Sequence, residues 1–126
     1  MEYSQFYEEY GHPFTGRKCR RLEEFLRRMN LSYDEGVQYT VNLVTQDGEI
    51  AATGSLQHNV IKCVAVDDRY QGEGLSSRIV TLLLNRAMET GQSHLFVFTK
   101  PQNRAMFSDL GFYPILQTAD VLFMEN

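Results

Sequence analysis

Apolar positions along this chain change their period several times, and each change marks an element. Between residues 17 and 30, Leu22, Phe25, Leu26 and Met29 recur at the i, i+3, i+4, i+7 spacing of one helix face. Arg17, Lys18, Arg20, Arg21, Arg27 and Arg28 surround Glu23 and Glu24 on its other faces. Such a surface is commonly a solvated exterior; the sharper reading is a docking surface for an acidic partner. A short loop at 31–36 has room for one helical turn. The period then falls to two, with Tyr39, Val41 and Leu43 alternating against Thr40, Asn42 and Val44. Asp47-Gly48 carries the signature of a type I′ hairpin, returning the chain into EIAATGSLQ. His58-Asn59 makes a second turn and VIKCVAV, residues 60–66, a third strand. The three strands are expected to form an antiparallel meander.

Before them, Tyr3, Phe6, Tyr7, Tyr10 and Phe14 fit a strand or a short helix equally well, broken by Gly11, Pro13 and Gly16. After them, Leu75, Ile79, Leu82, Leu83 and Ala87 define a helix that Gly91 stops. SHLFVFT, residues 93–99, has no alternation and is expected to be a strand covered on both faces. Lys100-Pro101 opens a short helix, NRAMFSDL, which Gly111 ends; FYPIL and DVLFME close the chain as two strands. The expected fold class is α/β (α+β): a mixed, mostly antiparallel sheet of six to seven strands with helices on both faces. Residues 1–126 are expected to form a single domain, as the length suggests.

Composition narrows the function classes. With 43% hydrophobic and 22% charged residues, the chain resembles an ordinary globular protein and not a disordered one. A net charge of −4 argues against nucleic acid as a partner, so any anion site must be local. No apolar run approaches a membrane span. The opening MEYSQFYEEY lacks the charged-then-apolar pattern of a secretory leader. Cys19 and Cys63 offer neither a disulfide framework nor metal spacing, and no metal is expected. A reducing compartment, the cytoplasm, follows as the expectation. Cys63, in an apolar strand, reads as a packed structural thiol.

The stretch RYQGEGLSS, residues 69–77, joins the third meander strand to the long helix. A simple reversal needs one glycine, and here two flank Glu73. A Walker loop fails because no lysine follows the glycines. A dinucleotide fingerprint fails because Ser77 stands where its third glycine belongs, and a meander precedes it instead of a βαβ unit. At a helix start, several N–H groups lack intrahelical partners and point at whatever lies beyond the terminus. Gly72 and Gly74 would let phosphate oxygens approach that backbone closely. Taken alone, the stretch serves equally well as a glycine-rich cap or as a phosphate cradle.

Read from Gln71, the string Q-G-E-G-L-S is similar to the Q/R-x-x-G-x-G/A pyrophosphate loop of the GNAT acyl-CoA acetyltransferase superfamily. VAVDDRYQGEG looks like that family's strand-then-loop segment, and FSDLGF like its second signature. The resemblance covers nearly the whole chain and implies acetyl-CoA, CoA or a CoA-like phosphopantetheine arm as the bound cofactor. The implied binding residues are Gln71, Gly72, Glu73, Gly74, Leu75, Ser76 and Ser77 for the phosphates. Pantetheine would run along Val64, Ala65 and Val66 as an added strand, emerging beside FVFTK, with Asn103 helping to hold it. Within the superfamily, IKCVAV, QGEGLS, HLFVFTKP, LGFYPI and VLFMEN resemble the amino-terminal domain of the citrate lyase ligase family. That resemblance implies a piece of a longer ligase, one that uses ATP and acetate to acetylate the thiol of a carrier-bound group derived from dephospho-CoA. It implies the citrate lyase acyl carrier protein as a partner, and places ATP in a downstream domain.

The catalytic pattern of the superfamily is incomplete. The tyrosine that commonly serves as its general acid, four residues before the Gly of Gly-Phe, falls on Phe107. The carboxylate often found on its central strand falls near Lys62. Ser76 replaces the last Gly or Ala of the loop. Among other groups, His58, His94, Asp67 and Asp68 read as structural or solvent-facing, Glu73 is a base only if a substrate crosses the loop, and Tyr113 is expected to pack. The general acid and base are therefore unassigned. Two classes of function remain: an acetyl-CoA-dependent transferase, and a module that binds a CoA-like arm and presents its thiol to a separate catalytic domain.

Overall fold

A computed structural model describes residues 5–126; Tyr3, of the opening aromatics, lies outside the described residues. The opening segment is a strand, β1 (Phe6–Gly11), followed by α1 (Gly16–Arg28), β2 (Tyr39–Thr45), β3 (Ile50–Gln57) and β4 (Val60–Val66). Then come α2 (Leu75–Glu89), β5 (Phe96–Thr99), α3 (Arg104–Asp109), β6 (Tyr113–Gln117) and β7 (Leu122–Glu125). The strands form one seven-stranded sheet in the order β1-β2-β3-β4-β5-β7-β6. Among the described residues, only β4 and β5 pair in parallel. The expected mixed, mostly antiparallel sheet is therefore present, with its meander lengthened by β1.

Two apolar layers hold it together. On one face, Leu75, Ile79, Val80, Leu83 and Ala87 of α2 and Phe107 of α3 pack on Val41, Leu43, Ile61, Val97 and Met124. On the other, Leu22, Phe25 and Leu26 of α1 pack on Ile50 and Ala65. Helices on both faces explain why β2 is buried almost throughout, polar positions included. Those polar groups find partners, as burial requires. Thr40 Oγ1 meets Ser55 Oγ at 2.7 Å, and Thr53 Oγ1 donates to Asn42 Oδ1 at 2.6 Å.

Three local expectations need correction. The loop at 31–36 contains no helical turn; instead Asn30, at φ 63, closes α1, with Leu31 N–H donating to Leu26 O at 2.8 Å. The β2–β3 turn is not type I′, which needs positive φ at two successive residues. Gly48 alone has it, at φ 86, and its N–H donates to Thr45 O while Thr45 N–H donates to Glu49 O. That is a type I turn closed by a glycine bulge. Nor is SHLFVFT covered on both faces, because its strand is only Phe96–Thr99 and Phe98 is 50% exposed. α1 covers the β1–β4 half of its face, and Phe96, Phe98 and Phe123 stack on one another beyond it.

α2 sits directly against β3 at Gly54. A Cβ there would lie 2.5 Å from Ile79 Cγ2 and 3.0 Å from Leu83 Cδ1. Gly54→Ala should therefore destabilise the fold by about 1–3 kcal/mol through overpacking. A lowered denaturation midpoint with an unchanged denaturant slope is the expected reading; an unchanged midpoint would show that α2 does not pack this closely.

Candidate functional site

Residue pairing along β4 is irregular. Lys62 lies opposite Ser55 and Ala65 opposite Thr53, so Cys63 and Val64 together face Gly54. This is a bulge, and Cys63 adopts φ 57 to make it. β4 pairs with β5 only through Val60 with Phe96 and Ile61 with Val97. Beyond Ile61 the two parallel strands part, and a cleft of about 440 Å³ opens between them. Its walls come from Val64, Ala65 and Val66 of β4, the end of α1, the segment after β5, and the β6–β7 turn.

The glycine stretch stands at one end of this cleft. After β4, Asp67 caps a 3₁₀ turn over Asp68–Tyr70, its Oδ1 accepting from Arg69 N–H at 2.9 Å. The Gln71 side chain donates to Val66 O at 2.9 Å and so ties the loop to the strand end. Gln71 N–H itself is turned to Asp68 O. Gly72 (φ 84) and Gly74 (φ 76) are both left-handed, and Gly74 is the N-cap of α2. The N–H groups of residues 72–77 have no acceptor among the described residues, whereas Arg78 N–H already donates to Gly74 O. A Cβ on Gly72 or Gly74 would meet nothing within 4 Å, so the space over these amides is open. Six free amides at a helix start form a concentrated set of anion donors.

The residues expected at the site divide by position. Val64, Ala65, Val66, Gln71, Ser76 and Asn103 line the cleft. Gly72, Glu73 and Gly74 are exposed at its end, and Ser77 is half-buried. Leu75 turns its side chain into the core, leaving only its amide to offer. Asn103 is held by a 2.8 Å bond from its Nδ2 to Thr99 Oγ1. Sequence reasoning missed Met29, Leu31, Lys100 and Asp120, which also line the cleft. Met29 carried the apolar period of α1 and read as core. Lys100 directly follows the β5 string, whereas nothing marked Asp120.

The electrostatics leave little free positive charge here. Arg69 binds Asp67 through Nε at 3.2 Å and Nη2 at 3.1 Å, and reaches Glu49 at 3.2 Å. That guanidinium holds the Asp67 carboxyl below the usual carboxylate range against the opposing effect of burial, and the charge of Arg28 adds to it. Lys100 has no carboxylate partner among the described residues. Cys63 is half-buried in the cleft wall, with Sγ 3.6 Å from Ser32 O. Burial pushes its thiol pKa up, so at neutral pH it is not a thiolate nucleophile.

Apart from Asp68 and Asp120, which line the cleft, and Glu73 at its end, the side chains considered for acid–base work lie elsewhere. Phe107 is fully buried, edge-on to Phe112, and does not line the cleft. Lys62 Nζ is engaged by Asp34 and Gln57. Tyr113 is 52% exposed and does not pack; its hydroxyl donates to Glu125 at 3.0 Å because β6 leaves that face open. His94 joins the same carboxylate at 2.8 Å, and His58 sits in the β3–β4 turn at φ 53. Among the described residues no cluster of His, Cys, Asp and Glu suits a metal ion, and no helix is long and apolar enough to cross a membrane.

The acetyltransferase (GNAT) family model matches residues 3–112. The chain belongs to this family. Among curated relatives of this GNAT chain, the [citrate [pro-3S]-lyase] ligase of Klebsiella pneumoniae is 42% identical over 106 residues, covering 83% of the chain and 31% of the relative. The Escherichia coli protein of the same name is 36% identical over 111 residues, with 87% and 31% covered. The chain thus spans about a third of the length of these relatives. Among solved structures, Escherichia coli ElaA superposes with a TM-score of 0.80 at 13% identity, over 96% of this chain and 99% of that one. The Escherichia coli GNAT N-acetyltransferase YhbS, solved in complex with CoA, gives 0.71 at 16%, over 97% and 81%. These two likenesses concern the GNAT fold.

The Asp67 cap gives a pH test of the loop's anchoring. Its carboxyl has a depressed pKa in the folded chain, so its stabilisation is present above the unfolded value of about 3.9 and is lost as pH falls through the folded value. Asp67→Ala should cost about 0.5–2 kcal/mol near neutral pH. In urea titrations the gap to wild type should close below about pH 4. A gap that is constant with pH would show that the ionised carboxylate does not hold the turn.

Proposed function

We propose that this chain binds a CoA-type molecule, acetyl-CoA, CoA or a phosphopantetheine arm, as the acetyltransferase-like part of a citrate lyase ligase. The supporting observation is the joining of a free strand edge at Val64, Ala65 and Val66 to six unpartnered amides at the start of α2. In this reading, the pyrophosphate sits on the amides of residues 72–77, and the arm lies along β4 and is flanked by Asn103 and Lys100. When bound, the molecule supplies a thiol or thioester. The chain's own residues bind and orient that group and shield it with Met29 and Leu31. Residues 1–126 would then be one domain of a longer ligase. That ligase uses ATP and acetate to acetylate the prosthetic group of a carrier protein, and its ATP-dependent chemistry would belong to the portion of the relatives that this chain does not span.

A ligand that binds only the folded chain stabilises it by RT ln(1 + [L]/Kd), roughly 2.7 kcal/mol at a hundredfold excess over Kd. CoA, acetyl-CoA and dephospho-CoA at millimolar concentration should therefore raise the melting temperature. Gly74→Val should abolish that shift, since its Cβ occupies the open space over the amides, while costing the free chain ~1–2 kcal/mol in left-handed strain. An equal shift in Gly74→Val would show that the phosphates lie elsewhere, and no shift in wild type would sink the reading.

A second reading, an acetyl-CoA-dependent N-acetyltransferase of unassigned acceptor, is favoured by Asp68 and Asp120, two carboxylates at the cleft that could take an amine proton. It lacks a general acid for the leaving thiolate, a deficit of typically ~10²–10⁴-fold in rate. Nor does Phe107→Tyr offer a repair, because its hydroxyl would be added to a fully buried ring. Acetyl-CoA consumption against polyamines, amino acids and peptides should be slow or absent. Rapid turnover of any of these would replace the first reading with this one.

A further inference from the structure

Six of the chain's twelve lysines and arginines stand on α1, against two of its sixteen carboxylates. Elsewhere the cations are mostly balanced: Lys62 pairs with Asp34, Arg69 with Asp67 and Glu49, Arg78 with Glu8, and Arg86 with Glu89. On α1, Glu9 takes Lys18 and Arg21. Among the described residues Arg17, Arg20, Arg27 and Arg28 form no ion pair with a carboxylate, Arg28 feeling Asp67 only at longer range. All four are exposed. At the start of α1 the arrangement does not favour the helix itself. The first turn holds Arg17 and Lys18 and no acid, opposite to what the helix dipole prefers. Neighbouring arginines one turn apart also repel. Arg27 and Arg28 do suit the last turn and follow Glu23 and Glu24 at the favourable i,i+4 spacing. The helix still carries six cations against two acids, a net excess that suits a surface used by something else.

The location links this face to the cleft. α1 runs directly into Met29 and Leu31, which line the cleft, and Arg28 reaches the neighbourhood of Asp67 at the start of the loop. We propose that the exposed arginines of α1 dock an acidic protein partner, a carrier whose CoA-like thiol arm then enters the cleft. This rests on the cleft reading above and adds the partner's binding surface to it. Extended nucleic acid fits less well, because the rest of the chain holds six cations against fourteen carboxylates and would repel it. A membrane surface fits less well because the apolar side of α1, Leu22, Phe25 and Leu26, is already buried in the fold. A compact acidic surface meets the helix without engaging the rest. Complementary charge of this kind raises association rates and fixes orientation.

The test uses the purified citrate lyase acyl carrier protein, bearing its prosthetic group, as the probe, with calorimetry at about 50 and 300 mM salt. Affinity for this chain should fall at least tenfold at the higher salt. Arg17→Glu, Arg20→Glu and Arg27→Glu combined should lower it at least tenfold at low salt, while Arg104→Glu, away from α1, leaves it unchanged. The thermal shift with CoA is measured alongside: its retention in the triple variant shows that the fold and the cleft survive. Carrier affinity unchanged by the triple reversal overturns the proposal. So does absence of carrier binding by a chain that CoA still stabilises, or preferential capture of RNA or anionic vesicles by α1. A wild-type chain that ignores CoA but binds the carrier through α1 would instead leave the docking surface and remove the cleft reading.

Discussion

One extra residue in β4 governs the rest of the architecture. Because Cys63 and Val64 together face Gly54, the strand kinks where it would otherwise continue alongside β5. Left-handed backbone at a non-glycine residue costs roughly 1–2 kcal/mol, so Cys63 must be held by its surroundings. α1 and the loop after it do this: Cys63 packs with Leu31 and Tyr33 beside Phe14, Leu22 and Phe25, and its thiol reaches Ser32 O. The layer on the α1 face therefore stabilises the bulge, and the bulge opens the cleft. Without it, residues 64–66 would be ordinary interior strand, and the glycine loop would end against β5 instead of at a cavity.

The same geometry resolves an apparent difficulty with charge. A chain with a net charge of −4 is a poor general receptor for anions, and Arg69, just before the loop, is committed to Asp67 and Glu49. Backbone amides need no net charge to receive an anion; they need only to be free and convergent. Left-handed Gly72 and Gly74 supply that condition, while Gln71 pins the loop to Val66 and Asp67 caps the turn before it. The side chains around the loop fix the backbone, and the backbone presents the donors. Glu73 can consequently occupy the middle of the loop, since it is exposed to solvent.

Much of this was legible in the sequence, and its limits have physical causes. Periodicity located α1 and α2 because each buries one regular stripe, and the meander because β2 alternates in polarity even though β2 and β3 are buried on both faces. It misjudged SHLFVFT because an unpatterned apolar run does not say whether both of its faces are covered; Phe96 and Phe98 instead stack with Phe123 on an open face. The Asp47-Gly48 pair marked a turn but not its type, since one left-handed residue suffices when a bulge supplies the rest. The loop residues could be picked out because a glycine pair at a helix start is local information. The opposite wall was not, because Met29 and Leu31 reach the cleft only through the packing of α1 on the sheet, and Asp120 only through the pairing of β6 with β7.

Binding through main-chain groups and carrying out acyl transfer place different demands on a fold of this family. The amides of residues 72–77 and the edge of β4 are main-chain groups, so they tolerate drift in side chains as long as the bulge and the glycines persist. Proton transfer depends on single side-chain atoms, which one substitution removes. Phe107 is such a case: its ring sits edge-on to Phe112 inside the principal core, where it contributes packing and no proton. A family fold can thus keep its binding surface while its acid–base pair is lost. If chemistry is supplied by another domain, retaining the cleft and the arginines of α1 suffices, because the remaining task is to position a thiol. On the proposed reading, the identity to the ligases and the buried phenyl ring of Phe107 have a common account in such a division of labour.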